Sequence, residues 1–324
     1  MKKLLTLLVA LMMILTLSAC GSKTEDSVSD GTKTYTVGIV QLVQHPALDA
    51  ATEGFKDALK ASGLEVEFKE GNASGDSANC ITIVSGFLSD GVDLIMANAT
   101  AALQAASAAT SDIPVLGTSV TDYATALEID ASTWNGTVGT NVSGTSDLAP
   151  LSEQADMISE LFPEAKTVGI LYCSAEANSA YQADEITKML EAKGITVEKY
   201  AFSDTNDVTS VTEKACETSD VIYIPTDNTA ASNTEAIANV VLEAKVPVVA
   251  GEEGICSGCG VATLSISYYD LGYATGEMAA KILNGADVKT MPIEYAPSVT
   301  KKYNATNAEK LGVTIPADYV AIEG

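Results

Sequence analysis

The side chains in this chain that could do chemistry are few, and they collect in short polar stretches that each follow an apolar run. In the clearest case, Val221-Ile222-Tyr223-Ile224 stops at Pro225-Thr226-Asp227-Asn228-Thr229. A run of that kind reads as a buried parallel strand delivering polar side chains at its carboxyl end. In open α/β sheets small ligands sit outside those ends, so Asp227, flanked by Asn228 and Thr229, suits a cationic or hydroxylated group. The same three residue types are good helix N-caps, which leaves a second reading of Asp227 as the cap of a helix beginning near Ala230.

Comparable stretches follow other predicted strands: Gln41–Asp49, Asn98–Thr100, Thr118–Tyr123, Cys173–Tyr181 and Gly251–Glu253. They supply the remaining candidates for a binding site: Gln44, His45, Asn98, Thr100, Ser119, Asp122, Tyr123, Ser174, Asn178, Ser179 and Glu252, with Ser146 from a connecting segment. Hydrogen-bonding groups with tyrosines alongside fit a small polar ligand that carries a flat apolar part. His45 is locked before Pro46 at the carboxyl end of the first strand, where it can wall a cleft.

Catalysis finds little support in the same residues. His45 is the single histidine, and no G-x-S-x-G elbow exists to pair with it. No G-x-G-x-x-G or Walker loop follows a strand, so dinucleotide and NTP binding are not expected. Glu252 and Glu253 are adjacent in a strand-end loop, and neighbours of that kind seldom converge on one bond. No cofactor and no metal site are expected: Cys256-Ser-Gly-Cys259 has no second pair or nearby His to complete a tetrahedral site, and it reads as a turn, with or without a disulfide.

The elements that must position these groups alternate regularly from Thr34 onward. Short strands at 36–41, 64–69, 92–97 and 115–118 are separated by helical segments at 46–62, 77–88 and 100–109, the βαβ rhythm of a parallel sheet covered on both faces. The rhythm restarts after Asn141–Asp147 with strands at 167–172, 196–202, 221–224 and 247–250. The halves echo each other, Lys60–Phe68 resembling Glu191–Lys199 and Asp93–Asn98 resembling Asp220–Pro225. The fold expected is α/β, with two doubly wound parallel-sheet lobes whose strand ends face across a cleft. Their expected extents are residues 34–142 plus 265–291 for the first lobe and 143–264 plus 292–324 for the second.

The chain opens with Lys2, Lys3 and an apolar run from Leu4 to Leu17, too short for a spanning helix and suited to the h-region of a signal peptide covering residues 1–19. Leu17-Ser18-Ala19-Cys20-Gly21 is similar to the lipobox of bacterial lipoproteins, which implies cleavage before Cys20 and lipidation of that residue. Residues 20–33 then read as a Gly/Ser-rich disordered tether. The formal charge of −25, about −27 without Lys2 and Lys3, argues against nucleic-acid partners, whose phosphates need Lys and Arg. The expected protein is therefore a monomer outside the cytoplasm that meets the membrane through its lipid only.

Four motifs in order, His45-Pro46-Ala-Leu-Asp49, Asn141-Val-Ser-Gly-Thr-Ser-Asp147, Asp227-Asn228-Thr229 and Asp270-Leu-Gly-Tyr-Ala-Thr-Gly-Glu-Met-Ala279, resemble the substrate-binding lipoproteins of bacterial ABC importers. The resemblance is to the tryptophan/tyrosine-transporter type, relatives of the branched-chain amino-acid and ribose binders. It implies the type I periplasmic-binding fold with three hinge crossovers, an ABC permease and ATPase as partners, and an aromatic amino acid (Trp, Tyr or Phe) as ligand. Another small solute (a branched-chain amino acid, a nucleoside or a sugar) and a cleft enzyme are the alternatives. For an amino acid, Asp227 would face the ammonium. Thr100, Ser174 and Ser179 would face the carboxylate. Gln44, His45 and the tyrosines would face the side chain. If Asp227 is only a cap, Asp122, Glu252 or Glu253 takes its place. Departures from the family pattern at Thr100-Ala-Ala102 and Thr121-Asp122-Tyr123 bear on ligand choice, with Tyr123 expected as an aromatic wall or a block. Crossovers are expected near 139–146, 258–264 and 290–296.

Overall fold

A computed structural model describes residues 33–322 except Pro297; the signal, the tether and Cys20 lie outside the described residues. The strands are β1 (Thr34–Gln41), β2 (Glu65–Asn72), β3 (Leu94–Asn98), β4 (Val115–Val120), β5 (Val142–Ser146), β6 (Thr167–Cys173), β7 (Thr196–Phe202), β8 (Val221–Ile224), β9 (Val248–Ala250), β10 (Ala262–Ser265), β11 (Glu294–Tyr295), β12 (Thr300–Tyr303) and β13 (Val320–Ala321). They form two sheets, in the orders β11-β5-β4-β3-β1-β2 and β13-β12-β10-β9-β8-β6-β7. Every pairing is parallel except β10 with β12.

The reason is visible in the strand sequences. Central strands β3 and β8 are buried at every position, as continuous apolar runs between two helical layers should be. The edge strand β2 instead alternates and carries Glu65, Glu67, Lys69 and Glu70, charges that discourage further strand addition. Each sheet has an apolar cluster on either face, around Phe87, Leu103 and Tyr123 or Phe55, Leu94 and Met278 in the first, and around Phe202, Ile224 and Ile237 or Met157, Ile170 and Ile186 in the second.

Three crossovers join the lobes, at residues 147–150, 266–267 and 296–299. Each comes just after the position expected from sequence, because the segments named there are still paired. Val142–Ser146 hydrogen-bonds to β4, and Glu294–Tyr295 to β5, so the expected boundaries at 142/143 and 291/292 fall short of the sheet edge. The helix Tyr268–Leu283 returns to the first lobe and lies directly on the helix Pro46–Ala61. A Cβ on Gly272 would meet the Ala51 carbonyl at 1.9 Å and one on Gly54 the Tyr269 carbonyl at 2.1 Å, which is why glycine stands at both contacts.

Candidate functional site

The carboxyl ends of β4, β5, β6, β8 and β9 meet the start of the helix Pro46–Ala61 at the lobe junction. His45, Ser119, Asp147, Asn178, Thr226, Asp227, Asn228, Glu252 and Tyr268 line a void there of about 10 Å³, enough for roughly one water. The lobes are therefore shut. Direct bonds cross the junction: Nε2 of His45 lies 3.2 Å from Oδ1 of Asn228, the hydroxyls of Thr121 and Thr226 are 3.4 Å apart, and Gln182 Nε2 donates to both, at 3.4 and 2.6 Å.

Asp227 is 2 % exposed, and both of its oxygens are engaged by backbone. Oδ1 accepts from Ala230 N at 2.8 Å and caps the helix Asn228–Ala231, while Oδ2 accepts from Cys173 N at 2.6 Å and ties the end of β8 to the end of β6. Burial, with the Glu176 charge adding to it, pushes its carboxyl up to about 7. Glu252 repeats the pattern: it caps the helix Glu253–Gly258 by accepting from Gly254 N at 2.6 Å and from Ile255 N, and burial pushes it up to about 7.

Asp147 is different. It follows β5 directly and is 5 % exposed. Its acceptor bonds come from side chains, Thr121 Oγ1 at 3.0 Å and Tyr268 OH at 2.9 Å, the second linking the first crossover to the helix after the second. Burial raises its carboxyl above the ordinary range, against the pull of both hydroxyls. Glu176 sits at the rim as an organiser, accepting from Asn228 N and Nδ2 at 3.0 and 2.6 Å, Thr229 N and Oγ1 at 2.8 and 2.7 Å, and Asn178 Nδ2 at 3.2 Å. Because Asn228 Nδ2 is spent on Glu176, its Oδ1 faces His45, and Nε2 of the imidazole must carry the hydrogen. Burial holds His45 below its ordinary pKa, and its Nδ1 has no partner among the described residues.

Of the residues expected from sequence, His45, Ser119, Asn178, Asp227, Asn228 and Glu252 line the void. Ser179 and Ser146 are buried behind it, Ser146 donating to the Thr121 carbonyl at 2.8 Å. Thr229 is held by Glu176 and faces a separate pocket at the rim. Asn98 donates to the Leu48 carbonyl at 2.8 Å and fixes the start of the first helix. Thr100 is buried with its hydroxyl unpartnered, after Ala99 at φ +92°. Ser119 is also unpartnered and holds φ +54°, and strain of this kind concentrates at functional positions.

Five expectations are corrected. Tyr123 is no cleft wall: it is buried in the first-lobe core, its hydroxyl donating to the Thr145 carbonyl at 3.1 Å, and it fills the space left by Gly117 and Gly144. Asp122 caps the short helix Tyr123–Ala126 through Thr125 N at 2.7 Å and does not line the void. Ser174 is exposed and bonds the Phe202 carbonyl at 3.1 Å. Gln44 faces outward in a groove with Lys56 and Lys60 on the first lobe alone. Cys256 and Cys259 are free, buried thiols, and they end a helix, Glu253–Gly258, where a turn was expected. Sequence reading missed Asp147, Glu176, Gln182, Thr121 and Thr226. Thr121 and Asp147 each directly follow a strand, and Glu176 and Thr226 fall in polar stretches already noted, but nothing local distinguished them from their neighbours.

Among the described residues no cluster of His, Cys, Asp or Glu could hold a metal ion, and no helix is long and apolar enough to cross a membrane. The family model for ABC transporter substrate binding proteins matches residues 36–322. The chain belongs to this family. A curated relative, a tyrosine-binding protein of Clostridioides difficile, is 34 % identical over 305 residues, covering 90 % of this chain and 87 % of the relative. A solved ABC domain from Streptococcus pneumonia in complex with L-Trp is 32 % identical, with a TM-score of 0.84 over 88 % of this chain and 97 % of that one. The ligand-free, open structure of a substrate-binding protein with adhesive properties from Clostridium difficile is 35 % identical over 89 % and 99 %, yet its TM-score is 0.68. At nearly equal identity the shape is nearer to the liganded protein than to the open one, in keeping with the shut lobes. The family places the chain outside the cytoplasm, as the small-molecule receptor of an ABC importer.

Proposed function

We propose that this substrate-binding protein captures an aromatic amino acid between its lobes, residues 34–146 with 268–295 and residues 151–265 with 300–322, and hands it to the importer. It carries out no chemistry on the ligand and acts as a monomer anchored through lipid on Cys20. The observation that carries the reading is the charge of the cavity wall. Asp147, Asp227 and Glu252 line it, and no Lys or Arg does among the described residues. Buried carboxylates without a cation are costly, so the ligand that closes this cleft brings a positive group. Asp147 suits the ammonium best, because its existing bonds come from two rotatable hydroxyls and not from a helix it must cap.

A free amino acid also needs donors for its carboxylate. The unpartnered hydroxyls of Ser119, near the end of β4, and Thr100, just after β3, stand on adjacent strands with Asn98 opposite Thr118. The helix Thr100–Ala109 begins without a side-chain cap, leaving its first N–H groups and dipole for an anion. The aromatic character is supported by the relatives, one named for tyrosine and one holding L-Trp. The test is mass spectrometry of ligand released from the purified protein: tryptophan, tyrosine or phenylalanine is expected, and a sugar or nucleoside would overturn the reading.

A further inference from the structure

We infer that the aromatic ring of the cargo is housed beside the closed void, in the pocket between the helices Pro46–Ala61 and Glu253–Gly258. The inference rests on the amino-acid reading above and adds where the side chain goes. In the shut form the void of about 10 Å³ holds roughly one water, so it must widen even for the amino-acid head group, and an aromatic side chain, which buries 150–250 Å² of surface, needs further room. The neighbouring pocket measures about 520 Å³, within the ordinary range for small-molecule sites.

Two side chains, Glu252 and Tyr268, line both spaces. They form the partition, so a ligand whose ammonium sits at Asp147 reaches the larger pocket by passing between them. Its walls come from both lobes: Pro46, Ala47 and Ala50 from the first, Ser257 and Gly258 from the second, with Ile266 from the crossover. A ring held there contacts both lobes at once and favours the closed state. The groove beside Lys56 and Lys60, by contrast, is built by one lobe and is indifferent to closure.

The wall chemistry selects among rings. Pro46, Ala47, Ala50 and Ile266 offer apolar surface beside the Glu253–Lys302 ion pair, while each Glu252 oxygen accepts one backbone N–H and keeps a second lone pair. A phenol O–H or indole N–H can donate to it and a phenyl ring cannot, so tyrosine and tryptophan are preferred to phenylalanine.

Filling the pocket from either wall tests this. Ala50→Trp and Ser257→Trp each place bulk in it without touching the void. The wild type and both variants, checked for unchanged thermal melting, are titrated calorimetrically with L-tyrosine, L-tryptophan and L-phenylalanine. The expected result is wild-type binding of tyrosine and tryptophan at least tenfold tighter than phenylalanine, with at least a tenfold loss in whichever variants fold. Wild-type affinity for tyrosine and tryptophan in a folded variant overturns the ring position while leaving the amino-acid reading standing, and equal wild-type binding of all three rings overturns the role of Glu252. A wild type that binds no amino acid overturns the amino-acid reading itself.

Discussion

Nε2 of His45 in the first lobe lies 3.2 Å from Oδ1 of Asn228 in the second, and Asn228 is held in that orientation by Glu176 through a 2.6 Å bond. A residue of the first lobe is thereby latched to an organised loop of the second, so the pair counts toward the closed state and is lost on opening. Asn228→Ala removes the latch at a cost of about 1 kcal/mol, the net worth of one such bond. Small-angle scattering of the ligand-free protein should show a larger radius of gyration for Asn228→Ala than for wild type. An unchanged radius would mean the latch does not influence closure.

The two buried aspartates of the cleft should separate cleanly by mutation. Asp147→Asn keeps shape and removes charge, and should weaken amino-acid binding by roughly 2–5 kcal/mol, as expected when one partner of a desolvated charge pair is lost. Asp227→Asn can keep the cap, since Asn caps as well as Asp, but its amide nitrogen cannot accept from Cys173 N, so its main effect should be a loss of stability of about 1 kcal/mol. Calorimetry and thermal melting on both variants decide the assignment; the opposite ranking would return the ammonium to Asp227.

Acidity should oppose ligand binding. Asp227 and Glu252 are raised to about 7 in the folded protein from ordinary carboxylate values, so the folded chain binds more protons than the unfolded chain between about pH 4 and 7. Their contribution makes the ligand-free protein more stable as pH falls through 7 toward 4. His45, held below its ordinary value, works the other way below about 6.5 with one group against two. A ligand ammonium favours the ionised carboxylates, so binding should release protons below pH 7, and affinity should drop from pH 8 to pH 5. Titrations in buffers of different ionisation enthalpy measure that release, and proton uptake in this range would contradict the placement of the ammonium.

Attachment is tested separately. With lipid on Cys20, wild type should fractionate with membranes, and Cys20→Ser should be released or left unprocessed. Equal solubility of the two would remove the anchor from the account.

The fold was legible because its signals are local. Continuous apolar runs such as Val221–Ile224 mark buried strands, and the polar stretch after each run marks the cleft edge. What a strand-end loop does with its side chains depends on long-range partners, and there the reading failed in recognisable ways. Asp227 and Asp122 looked alike in sequence, yet one lies on the cleft wall and the other caps a helix away from it. Tyr123 is drawn inward because Gly117 and Gly144 leave room for its ring, a fact spread over three segments. Asp147 was hidden because the importance of its carboxylate comes from Thr121 and Tyr268, one of them 121 residues away. The first crossover was displaced because Val142–Ser146 has polar side chains yet is fully buried within the first sheet.

The central prediction is an aromatic amino acid entering a cleft whose wall offers carboxylates and, among the described residues, no Lys or Arg. Titration calorimetry of the purified protein with L-tyrosine, L-tryptophan and, as a rival solute, D-ribose examines that most directly. Saturable binding of one aromatic amino acid per chain, with a negative heat-capacity change from ring burial and no heat with ribose, is the predicted result. Binding of ribose with no response to either amino acid would contradict it.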